Sequence, residues 1–114
     1  NRRLGVRFVR HDIIVTLWKA GTLSVAFKSM RRERSVKLVD ISSRGVLIES
    51  SFQLNVNKKV LLTLSFVDGY TFQLLSTVVR KDPSNNQRYG IKFDKSNHHL
   101  AEHLLKSQKI LTFR

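Results

Sequence analysis

The sequence predicts a mainly β fold: a small antiparallel barrel of six or seven strands with a C-terminal α-helix. Three observations predict it. Short runs rich in β-branched and aromatic residues recur along the chain. Turn signals separate them at short spacing, Asp68-Gly69 and Asp82-Pro83-Ser84-Asn85-Asn86 being the clearest. Only the stretch from about Ser96 onward carries helical periodicity.

Taken in order, Asn1 to Arg10 (NRRLGVRFVR) has no clean period and holds Arg2, Arg3, Arg7 and Arg10 around Gly5. It reads as a flexible basic arm, residues 1–11, ahead of a single domain over 12–114. Asp12 to Lys19 alternates Ile13, Val15 and Leu17 with Ile14, Thr16 and Trp18, as a strand does. Leu23 to Met30 is a weaker strand candidate, followed by a charged tip at Arg31-Arg32-Glu33-Arg34. Ser35 to Ile41 and Gly45 to Glu49 are strands around a polar turn. Ser50 to Lys58 is irregular. Val60 to Phe66, Tyr70 to Arg80 and Arg88 to Phe93 complete an antiparallel meander. Ser96 is placed to cap the closing helix. Leu100, Ala101, Leu104 and Leu105 form its apolar stripe, and Glu102 faces Lys106.

With 114 residues the chain is one domain with room for a core, and it has no cysteine. That suits a cytoplasmic location. No apolar run approaches the roughly 20 residues of a spanning helix, and no signal peptide is visible. Because it begins at Asn1, the chain is expected to be trimmed from a longer protein. Its net charge is +13, of which residues 1–37 contribute +8 from 10 basic and 2 acidic residues. Such a surface favours anionic partners: nucleic acid, nucleotide or an acidic membrane face.

Few chemical signatures are present. His99 and His103 share a helix face, but a third ligand at matching spacing is missing, so no metal site is expected. No P-loop, HExxH, GxSxG or paired-carboxylate pattern appears, so the chain reads as no enzyme and needs no cofactor. The aromatics fall mostly on apolar faces, and no RNP-like or KH-like motif is present. Charge alone supports nucleic-acid binding, which is disfavoured.

The stretch that stands out is Asp40-Ile41-Ser42-Ser43-Arg44-Gly45. One reversal rarely needs so many polar groups together. Glycine there has access to backbone angles closed to other residues. Asp40 is informative in so basic a chain. A carboxylate repels a phosphate backbone, but it accepts from the N–H donors of a guanine edge. Arginine matches the guanine O6/N7 edge and phosphate oxygens in pairs.

Arg3-Leu4-Gly5-Val6-Arg7 fits RxxxR, and residues 40–45 fit [D/N]xSxxG. In that order, with a strand between, the pair resembles the two ligand motifs of the PilZ domain, the bacterial receptor module for cyclic di-GMP. Tyr89-Gly90-Ile91-Lys92-Phe93 is similar to the family's last strand, and the likeness covers nearly the whole chain. It implies a PilZ-like split barrel that binds cyclic di-GMP. Arg3 and Arg7 would grip guanine edges and phosphates from an arm that orders on binding, giving a switch for a downstream protein partner or fused domain. Asp40 and Ser42 would hydrogen-bond a guanine, and Gly45 would keep the turn tight. Arg2, ahead of RxxxR, would favour a stacked, intercalated dimer of the ligand. Arg10 and Arg44 are rivals for clamp roles. The gap from Arg7 to Asp40 is long for the family, which implies an enlarged Leu23–Arg34 hairpin over the ligand or against a protein. A basic nucleic-acid-binding barrel and a nucleotide-independent PilZ-like adaptor are the alternatives.

Overall fold

Period-two alternation of apolar side chains makes the strands and chooses their inner face. The computed structural model describes residues 6–19 and 34–112. Within them, Ile13, Val15 and Leu17 of β1 (Ile13–Lys19) point into the core while Ile14 faces outward. β2 (Arg34–Ile41) and β3 (Gly45–Glu49) flank the polar turn. β4 (Lys59–Phe66), β5 (Thr71–Lys81) and β6 (Arg88–Phe93) follow, then helix α1 (His98–Thr112). The strand candidate at Leu23–Met30 and most of the Leu23–Arg34 hairpin lie outside the described residues.

The six strands form a closed antiparallel barrel in the order β1-β2-β3-β6-β5-β4. This corrects the expected meander. β3 pairs with β6, and β4 pairs with β1, so residues 50–58 cross the barrel instead of forming a hairpin. The crossing is anchored, which explains why a polar segment holds its path. Leu54 is buried and its N–H donates to the Tyr89 hydroxyl at 3.3 Å. The Asn57 N–H donates to the Val78 carbonyl at 2.6 Å, with Asn57 itself in the left-handed region at φ 74°. Closure gives both would-be edge strands a partner.

The hairpin at Asp68-Gly69 forms as predicted. Gly69 has φ +98°, its N–H donates to the Phe66 carbonyl, and the Asp68 carboxylate accepts from the Tyr70 N–H. The core fills the barrel with Leu62, Leu64, Ile48, Val78 and Tyr89, all fully buried.

Helix α1 seals the end where β4 turns into β5. Leu100 and Leu104 join the core. His103 packs edge-on to Phe66 and stacks on Tyr70, with ring centroids 4.2 Å apart in the stacked pair. The helix differs from expectation in three places. Its cap is Asn97, whose side-chain oxygen accepts the Leu100 N–H at 3.0 Å; Ser96 lies one residue too early for that bond. Leu105 is 57% exposed, and the buried stripe runs on through Ser107. Glu102 lies 3.8 Å from His98, one turn back, instead of meeting Lys106. Among the described residues no helix is long and apolar enough to cross a membrane.

Candidate ligand-binding turn and arm

The turn is built by its own side chains. The Ser42 N–H donates to the Gly45 carbonyl at 2.9 Å, which closes the reversal. The buried Ser42 hydroxyl oxygen accepts the Arg44 N–H at 3.1 Å, a local bond typical of a serine turn. It also accepts Arg7 Nη1 at 3.4 Å. Both are acceptor roles, so the hydroxyl proton is left for another partner.

The arm docks on the same turn. Phe8 and Ile41 exchange two backbone hydrogen bonds, at 2.7 and 2.9 Å. β1 meets β2 only from Val15↔Val36 to Leu17↔Arg34, so this end of β2 is open to the arm. That pairing sets Arg7 beside Asp40, with Nε 2.9 Å from Oδ1. The contact is charge against charge. Among the described residues no N–H is aligned on Oδ1, which is buried. Arg7 keeps 46% of its side chain exposed and Asp40 21%.

Asp40 faces outward because β2 carries a bulge between Leu38 and Asp40. Plain alternation from the inward Leu38 would send Asp40 into the barrel; one extra residue reverses it. The core side of the same strand end is held by Ile41, fully buried.

Gly45 has a different reason to be glycine than the one its turn position suggests. Its φ is not in the left-handed region, since among the described glycines only Gly69 is. A Cβ on Gly45 would instead collide with the Ile91 carbonyl oxygen on β6. Close approach of two backbones selects the residue.

The remaining candidates separate. Arg44 sits in the turn with its side chain exposed, and its carbonyl accepts the Phe93 N–H at 2.9 Å. Arg10 is not brought to the turn. It is buried, grips both oxygens of Asp12 at 2.8 Å, and reaches Ser107 at 3.0 Å and Gln108 at 3.3 Å on α1. Those hydrogen bonds hold the Asp12 carboxyl below the usual carboxylate range. Arg2 and Arg3 lie outside the described residues. His103 is turned into the aromatic cluster, with Asp68 Oδ2 2.9 Å from its Nε2, while His99 is exposed. Among the described residues no three of His, Cys, Asp and Glu converge as metal ligands.

The structure also aligns residues that sequence reading did not join. Cross-strand register places Asp40 opposite Leu47, Leu47 opposite Gly90, and Gly90 opposite Arg80. The available signal was the Tyr89-Gly90 pair, a glycine breaking an otherwise apolar strand.

Fold and site together define a small antiparallel barrel whose N-terminal arm is paired to an Asp-x-Ser-x-x-Gly turn. The family model for the PilZ domain matches residues 1–107, and the chain belongs to the PilZ domain family. Two solved structures are similar to it. The crystal structure of an uncharacterized Legionella protein has a TM-score of 0.60 at 19% identity, over 94% of each chain. The Bacillus subtilis inhibitor of motility (MotI/DgrA) has a TM-score of 0.70 at 15% identity, over 100% of this chain and 53% of that one. This chain therefore spans about half the length of the Bacillus protein. At these identities the likeness is one of fold. No curated protein sequence matches the chain.

Proposed function

We propose that the chain is a cytoplasmic, non-enzymatic receptor for cyclic di-GMP, bound where the arm meets the turn. One observation carries the reading: Asp40 aims a carboxylate outward from a very basic barrel, and among the described residues its buried Oδ1 has no aligned donor. A guanine edge supplies N–H donors of the kind that oxygen lacks. Arg7, half-exposed and held by a charge contact to Asp40 and one long hydrogen bond to Ser42, would turn its guanidinium to a guanine edge or a phosphate. Ser42 has a hydroxyl proton to give. Arg2 and Arg3 would join from the arm, Arg2 favouring an intercalated ligand dimer.

The switch then falls on the part of the arm ahead of Phe8, because Phe8 itself is anchored to β2 through Ile41. Exchange of the Arg7–Asp40 contact for ligand contacts would reset that segment. The surface so made would be read by a downstream protein or fused domain.

Calorimetric titration of cyclic di-GMP into the chain tests this. Saturable binding is expected, weakened at least tenfold in both Arg7→Ala and Asp40→Ala, in line with about 1.4 kcal/mol or more for a charge-assisted contact. Two ligands per chain would support the role of Arg2. Absence of heat and of thermal stabilisation would overturn the reading. A steep salt dependence with RNA or single-stranded DNA would then favour the nucleic-acid barrel, for which the +13 charge speaks.

A further inference from the structure

Two bulges disturb the barrel, and they lie at the two ends of one outward-facing row. The first, between Leu38 and Asp40, turns Asp40 outward. The second, between Val78 and Arg80, does the same for Arg80. Val78 is fully buried, so unbroken alternation would put Arg80 inside the barrel. Instead Val79 and Arg80 are both exposed. Bulges that re-aim a side chain recur beside functional sites.

Between these charged ends lie Leu47, half-buried, and Gly90. Gly90 has no side chain, and Arg80 occupies that space: a Cβ on Gly90 would lie 3.1 Å from Arg80 Cγ and 3.2 Å from its Nε. The Arg80 side chain, guanidinium carbon included, thus lies over Gly90, the next residue of the row. Among the described residues the Arg80 side chain is in no close salt bridge, though after the hydrogen bonds from Ser84 its charge helps to hold the exposed Asp82 carboxyl below the usual range.

We infer that Asp40, Leu47, Gly90 and Arg80 form a slot for a single guanine base, with Arg80 as its far wall. This rests on the receptor reading and adds a residue outside both arm and turn. Three inter-strand steps of about 4.8 Å separate Asp40 from Arg80 along the row. A purine and two hydrogen bonds of about 2.9 Å fill most of that span, and the reach of Arg80 across Gly90 covers the rest. Asp40 takes the N1–H and N2–H donors. Arg80 gives its paired N–H groups to O6 and N7 on the other side. Leu47 is the apolar floor under the ring. The slot discriminates, because adenine presents a donor where Arg80 needs an acceptor.

The test is titration of cyclic di-GMP and cyclic di-AMP into the unaltered chain, Arg80→Ala, Arg80→Lys and Arg7→Ala, with a thermal melt of each. Arg80→Ala is expected to weaken cyclic di-GMP binding roughly ten- to hundredfold, to narrow the preference over cyclic di-AMP, and to melt as the unaltered chain does. Arg80→Lys is expected not to restore binding, since an ammonium keeps the charge and loses the fork. Unchanged affinity in Arg80→Ala, or full affinity in Arg80→Lys, would overturn the slot. If those variants bind normally while Arg7→Ala does not, the slot falls alone. If the unaltered chain takes up no cyclic di-GMP, the receptor reading fails and the slot with it.

Discussion

Arg7 and Arg10 lie three residues apart on one arm and have opposite lives. Arg7 is 46% exposed and touches a carboxylate without an aligned hydrogen bond. Arg10 has 1% of its side chain exposed and fastens the arm to Asp12 and to α1. The first contact is easily exchanged; the second is part of the wall. The difference teaches that an arginine-rich arm is not one functional unit. Burial and hydrogen-bond saturation separate the residue that is available to a ligand from the residue that holds the domain together.

The largest effect expected from that contrast is on stability. Arg10→Ala strands Asp12 beside a buried hollow and cuts the link to Ser107 and Gln108. It should cost about 3 kcal/mol, lowering the melting temperature by roughly 10 °C. A melt within 2 °C or so of the unaltered chain would break the comparison.

A middle effect is acid sensitivity. Asp12 has its pKa lowered, first by its hydrogen bonds from Arg10. Its stabilisation is therefore present above the unfolded value near 3.9 and is lost as pH falls through the lower folded value. Denaturation followed from pH 6 down to pH 2 should show this loss in the unaltered chain and in Arg7→Ala. Arg10→Ala should lose less stability over the same acid range.

The smallest effect is the stability change in Arg7→Ala. A half-exposed pair contributes about 0–1 kcal/mol, so denaturant midpoints should barely move while ligand binding collapses. A loss as large as that of Arg10→Ala would merge the two residues into one role.

Much of this was legible in the sequence. All six described strands follow from alternating apolar residues, and the Asp68-Gly69 hairpin from its turn chemistry. The joining of arm and turn comes from the likeness of the Arg3–Arg7 and Asp40–Gly45 motifs to those of the PilZ domain, not from their spacing. What was not legible depends on partners distant in sequence. The bulges that aim Asp40 and Arg80 outward leave no mark on local periodicity. Arg10 looked like another clamp because Ser107 and Gln108 are nearly the whole chain away. The meander gave way to a crossing because closure of β1 on β4 is a property of the sheet, not of any one turn. Asn97 took the cap from Ser96 by a single residue, within the usual uncertainty of helix ends.

Gly45 carries a consequence for how motif variants are read. Its hydrogen atom faces the Ile91 carbonyl across two paired strands. A side chain there pushes β3 off β6 and disturbs the seam on which Asp40 and Leu47 ride. Lost binding in such a variant would be a symptom of a sprung barrel and would say nothing about ligand contact. Asp40 and Ser42, whose polar atoms meet Arg7 at the proposed site, are informative knockouts; the glycine of the same motif is a folding control.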